Sequence, residues 1–149
     1  MKKISLLSIW ITLFMLPGMI LASTAEKRIA LVIGNSDYMS SPLLNPMNDA
    51  ISMEAALTDC NFNVTRRLNL NRKSMFEVIR EFGNRLKRAD VGLFYFAGHA
   101  LQVKGENYLI PIGANVKNED EVHFECLEAS MVTSKMETAA NDLNRVHPV

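Results

Sequence analysis

The residues of this chain best suited to chemistry are one histidine and two cysteines. His99 stands where an apolar run, Val91 to Phe96, gives way to Ala97-Gly98-His99-Ala100. An imidazole titrates near neutrality, so a histidine placed there can take a proton from a nucleophile or hold a thiolate as its ion-pair partner. Cys60 and Cys126 are the two thiols. Cys126 lies close to Glu125 and Glu128, which raise a thiol's pKa rather than lower it, so it reads as a poor nucleophile. Cys60, at the end of an expected helix, reads as a small buried hydrophobe. The two could pair in an oxidising compartment, but they do not amount to a disulfide framework. His99, His123 and His147 are far apart, with no Cys-x-x-Cys and no helical His-x-x-x-His, so no metal site has a local signature.

The elements that must position His99 follow from patterning. Val91 to Phe96 is a short β-branched and aromatic run, the mark of a buried parallel strand, and ligands collect at the carboxyl edge of such sheets. Arg28 to Ile33 (RIALVI) is a second such run, ended by Gly34-Asn35 and followed by a Ser/Asn/Pro-rich loop over 36–45. Asn48 or Asp49 starts a helix to about Thr58, with Ala50, Met53 and Leu57 on one face. Asn63 to Leu68 alternates like a strand with one exposed face. From Arg72 to Arg88 a helix is set by Met75, Ile79, Phe82 and Leu86 at helical spacing. Leu101–Val103 and Tyr108–Ile110, on either side of Lys104-Gly105-Glu106-Asn107, form a hairpin just past the histidine. Pro111 to Glu121 reads as acidic loop, and Ser130 to Asn141 as a weaker helix with Met131, Ser134 and Thr138 among its inner positions. This order implies an α/β fold with a mostly parallel sheet and helices on its faces.

Of the 149 residues, the first 25 are not fold. Lys2 and Lys3 precede an apolar run from Ile4 to Ala22, and Ser23-Thr24-Ala25 offers small residues for cleavage after Ala25 or Ala22, the pattern of a secretory signal peptide. The alternative is an uncleaved membrane anchor. The domain is then 26–149, exported to the periplasm or beyond. The whole chain carries 16 basic and 16 acidic residues; without Lys2 and Lys3 the balance is 14 to 16. Nothing there points to nucleic acid, and the cluster Arg85, Lys87, Arg88 reads as a solvated helix end complementing the dipole.

Four strings, ALVIGNSDY, NPMNDA, YFAGH and GENYLIPI, occur in that order. Together they resemble the caspase-like clan of cysteine endopeptidases, nearest to bacterial metacaspase-like and paracaspase-like proteins, over about Lys27 to Asn144. The resemblance implies a three-layer sandwich in which His99 is the general base of a Cys-His dyad, with a peptide or protein substrate. The residue after the histidine is normally a glycine that supplies an oxyanion-hole N–H. Here Gly98 and Ala100 flank His99, and alanine keeps the N–H but resists positive φ. Asp49 falls where Arg/Lys-cleaving members line an acidic S1 pocket, and its place equally suits a first-turn helix acid. Some relatives are calcium-activated; Glu119, Asp120 and Glu121 could attract a cation, but without an EF-hand pattern they read as solvated loop, and no cofactor is expected.

The nucleophile is missing. In caspases the histidine precedes the cysteine by about 50 residues, an interval that here reaches Val149. Where the family has an apolar strand closing in Asp-x-Cys, this sequence reads Arg145-Val146-His147-Pro148-Val149, and Pro148 lacks a ladder donor. The expectation is a catalytic domain incomplete at its carboxyl end and silent by itself. The competing readings are a non-catalytic binding or regulatory module that pairs with an intact paralogue or self-associates through an open sheet edge, and a gene remnant. Mass spectrometry of the secreted product should find a mature amino terminus close to Glu26; an intact Met1 on a cytoplasmic product would refute export.

Overall fold

Ile29 to Gly34 are all buried, so the first strand, β1 (Arg28–Gly34), has to be covered on both faces and both edges. In the computed structural model, which describes residues 25–146 and side chains as far as Asp142, β1 is the central strand. β2 (Phe62–Leu68) and β3 (Val91–Ala97) flank it, both parallel, with Gly34 in register with Leu68 and Ala97. Parallel neighbours need crossovers, here α1 (Pro46–Asp59) and α2 (Arg72–Leu86). Ala30 and Val32 pack with Ala50 and Leu57 of α1. Ile29, Leu31 and Ile33 face the other way, into Met75, Ile79, Phe82 and Leu86 of α2 and the last helix, α4 (Ser130–Val146). The result is the expected three-layer α/β sandwich, and β3 has no outer neighbour among the described residues. The expected signal segment, apart from Ala25, and residues 147–149 lie outside those described.

A second, antiparallel sheet stands beyond β3. β4 (Ala100–Val103) and β5 (Glu106–Leu109) form the hairpin, turning through Lys104 (φ 50°) and Gly105 (φ 86°), the two positive-φ positions of a tight hairpin turn. No pattern in the sequence assigns structure to residues 122–129. They hold α3 (Val122–Glu125) and β6 (Leu127–Glu128), which pairs with β5. Elements this short carry no period; they are fixed by a small core of Tyr108, Val122 and Cys126.

Two expectations need correction. α4 turns Val132 and Ala139 into the core, while Ser134 and Thr138 are exposed. The stem of Lys135 lies against α2 at Gly83, where a Cβ would fall 2.7 Å from the lysine Cδ, and this contact selects the 132/135/139 face. Cys60 is exposed, not buried: it is the first residue past α1, its N–H reaches the carbonyls of Ala56 and Leu57, and the chain turns away through Asn61 at φ 62°. Both cysteines are free.

α1 comes unusually near β1. A Cβ on Gly34 would sit 2.5 Å from the Pro46 carbonyl oxygen and 2.8 Å from Ala50 Cβ, both on the first turns of the helix. Gly34→Ala should therefore force α1 outward and cost about 1–3 kcal/mol, read as a lower denaturation midpoint at unchanged slope.

Candidate active site

His99 sits just past β3, at the carboxyl edge that β1 also feeds with Asn35 and the loop over 36–45. Asn35 is fully buried. Its side chain accepts the Leu70 N–H at 2.9 Å and donates to the carbonyls of Leu70 and Ile110, each at 3.4 Å. Its own N–H donates to the Ala97 carbonyl at 2.8 Å. One carboxamide thus ties together the exits of β1 and β2 and the end of the hairpin, and its peptide N–H adds the exit of β3.

Tyr38 then locks the histidine. Its phenol accepts the His99 N–H at 3.0 Å and donates to the Ile110 carbonyl at 2.9 Å, and its ring lies 4.5 Å from the imidazole centroid, tilted by 56°. Burial raises the phenol's pKa, with the hydrogen bonds from His99 and Asn35 opposing, so it keeps the proton that Ile110 receives. Gly98 makes room for this. A Cβ there would lie 2.6 Å from the Tyr38 hydroxyl and 2.8 Å from Phe96 Cζ.

His99 Nε2 lies 2.8 Å from the Ser41 carbonyl oxygen. A carbonyl can only accept, so in the neutral ring Nε2 carries the proton and Nδ1 the lone pair. The loop therefore selects the tautomer and leaves Nδ1 as the base. Of the oxyanion-hole candidates flanking His99, neither Gly98 nor Ala100 has positive φ, so the alanine is unstrained as it opens β4. A cleft of about 480 Å³ opens beside the imidazole, bounded by Tyr38, Ser41, Ile110, Asn115 and Val116, with Met39 almost fully exposed on its rim.

The other residues singled out from the sequence are distributed around this site. Asp49 is exposed on the first turn of α1, at the same edge of the sheet as His99 but outside the lining of this cleft. Cys126 is buried beside Tyr108 and Val122, also off the cleft wall; burial and then Glu125 push its thiol's pKa up, with Arg72 opposing. Cys60 is at the opposite, amino edge, where its carbonyl accepts from Arg28. Glu119 pairs with Lys104 at 3.7 Å. Glu121 accepts the N–H groups of Lys117 and Asn118 at 2.7 and 3.1 Å, which hold its carboxyl below the usual range. Among the described residues no three His, Cys, Asp or Glu side chains are gathered as a metal site. Sequence reasoning missed the Ser41 carbonyl, a backbone group with no side-chain signal, and gave Tyr38 a place without a role.

A family model described as the caspase domain matches residues 27–141. This chain belongs to the caspase family. The caspase-domain chain is 29% identical over 121 residues to the human mucosa-associated lymphoid tissue lymphoma translocation protein 1, across 80% of this chain and 14% of that protein. The mouse homologue gives the same figures. The chain thus spans about a seventh of the length of these curated relatives (14%). The crystal structure of the Drosophila initiator caspase Dronc is similar with a TM-score of 0.59 at 13% identity, covering 76% of this chain and 44% of that one, a likeness of fold. The expected caspase-like cysteine peptidase domain is therefore established.

Tyr38→Phe removes the hydroxyl that joins His99 to Ile110, leaving the part-buried His99 N–H without its acceptor and the Ile110 carbonyl with the Asn35 amide alone. It should cost about 1–3 kcal/mol in unfolding free energy and shift the His99 ring resonances, while the distant His123 resonances stay put.

Proposed function

We propose that this chain is the histidine-bearing portion of a caspase-type cysteine endopeptidase that cleaves after Arg or Lys, exported from the cytoplasm, and that residues 26–149 alone do not turn over substrate. The observation that carries this reading is the seat of His99: a main-chain carbonyl takes the Nε2 proton, and Nδ1 is left as a base at the mouth of a cleft. The base is prepared for a thiol. Neither cysteine of the chain borders that cleft, one buried with its thiol held protonated and the other at the far edge of the sheet.

In the complete reaction the thiolate attacks the scissile carbonyl, and the proton His99 has received passes to the leaving amine. The N–H groups of Gly98 and Ala100 would meet the oxyanion. Asp49, exposed at the same edge and with no ion pair among the described residues, is the carboxylate proposed to meet a cationic P1 side chain once the substrate extends past the 480 Å³ cleft. The unpaired side of β3 supports a second role, in which a strand from an intact paralogue or a second copy completes the sheet.

Purified residues 26–149 should leave Arg- and Lys-P1 peptides uncut. Appending an apolar strand that ends in Asp-x-Cys should restore cleavage, abolished by His99→Ala and weakened by Asp49→Ala for basic P1 far more than for neutral P1. Turnover by the unextended protein that is lost in Cys126→Ala would overturn the reading. Tight peptide binding without turnover, even with the added strand, would favour the binding module.

A further inference from the structure

The amino edge of the sheet, remote from His99, holds a cavity of about 600 Å³. Lys27 before β1, Asn63 at the start of β2, and Arg85, Lys87 and Arg88 at the end of α2 line it, with Glu81 the one carboxylate on its wall. Four of the 14 basic residues of 26–149, a stretch with more acids than bases, converge on this one concavity. Arg85 already places a cation in the last turn of α2, where it complements the helix dipole, and Lys87 at the cap and Arg88 beyond it add further positive charge.

The pairing of these cations is as informative as their number. Elsewhere on the molecule Arg28 pairs with Glu26, Arg66 with Glu54 and Lys104 with Glu119. None of the four cavity cations has a carboxylate partner among the described residues. Arg85 is instead held by neutral oxygens: Nη1 donates to Thr65 Oγ1, and Nη2 to Asn63 Oδ1 at 2.9 Å. Its guanidinium is therefore fixed in place with its charge uncompensated. Asp90, two residues past Arg88, spends an oxygen on the Lys27 N–H at 2.7 Å, which orders the rim instead of neutralising a side chain. A concave site with fixed positive charge and low-dielectric walls concentrates anions, and guanidinium and ammonium groups together suit phosphate oxygens.

We infer that this cavity binds a phosphate-bearing anion, through Arg85 as the ordered anchor and Lys27, Lys87 and Arg88 as its carboxylate-free partners. Such a ligand bridges the start of β1, β2 and the end of α2, three elements whose other ends build the catalytic edge. The phosphate could be free or carried on a lipid headgroup; the chemistry recognised is the same.

The test uses the full chain at low ionic strength and two probes. Inorganic pyrophosphate, followed by calorimetry and amide shifts, should bind saturably, with the largest shifts at Asn63, Arg85 and Arg88. Phosphatidylcholine vesicles with and without phosphatidylglycerol report the headgroup, read as the increment due to the anionic lipid. Lys87→Gln/Arg88→Gln, both exposed, should weaken whichever interaction is present by about tenfold, and Arg85→Lys should weaken it while preserving charge. Pyrophosphate binding lost in the double variant supports a free-phosphate ligand; an anionic-lipid increment lost in it supports a headgroup. Absence of both, or either one unchanged in the double variant, overturns the inference.

Discussion

The structure depends on a single buried carboxamide. Asn35 follows β1 directly, has no exposed surface, and meets three other segments within one residue's reach. Buried amides are tolerated only when satisfied, and satisfying this one requires the exit of β2 and the end of the hairpin to arrive together, while the same residue's peptide N–H takes the exit of β3. The sheet supplies the strength. Asn35 supplies the alignment at the edge where it matters, so the loop over 36–45 leaves from a fixed point and can present Tyr38 and the Ser41 carbonyl to His99.

That arrangement fixes the histidine through one phenol and otherwise through main-chain atoms. Its peptide N–H goes to a phenol, its carbonyl accepts from Ile110 at 3.0 Å, and its Nε2 proton goes to Ser41. A substitution at Ser41 would leave its carbonyl in place, whereas a shift in loop length would remove it. The site is thus tolerant of side-chain change at one of its contacts and intolerant of backbone change.

Much of this was readable beforehand where periodicity was strong. The Met75/Ile79/Phe82/Leu86 stripe placed α2, the apolar runs placed β1 and β3, and Gly98-His99 placed the histidine at the carboxyl edge. The four strings of residues that resemble caspases gave the family. What could not be read was settled by contacts between elements. α4 took its inward face from the meeting of Lys135 with Gly83, which no stripe within the helix announces. α3 and β6 are too short for a pattern. The carbonyl that fixes the tautomer belongs to every residue type alike, so the sequence has no letter for it. The exposure of Cys60 turned on where α1 stops, a boundary of one residue.

The central position of β1 also has a consequence for how the chain is made. It leaves the ribosome before either of its neighbours, which flank it from later in the chain, and β3 is complete only with Ala97. Until β2 emerges seven residues, RIALVIG, built to be covered on every side, travel without a partner, and one edge stays open until β3 follows. Parallel pairings close long loops and form slowly, so this strand is the segment of the nascent protein most in need of a holding chaperone, and the one through which two unfinished chains would most readily stick to each other.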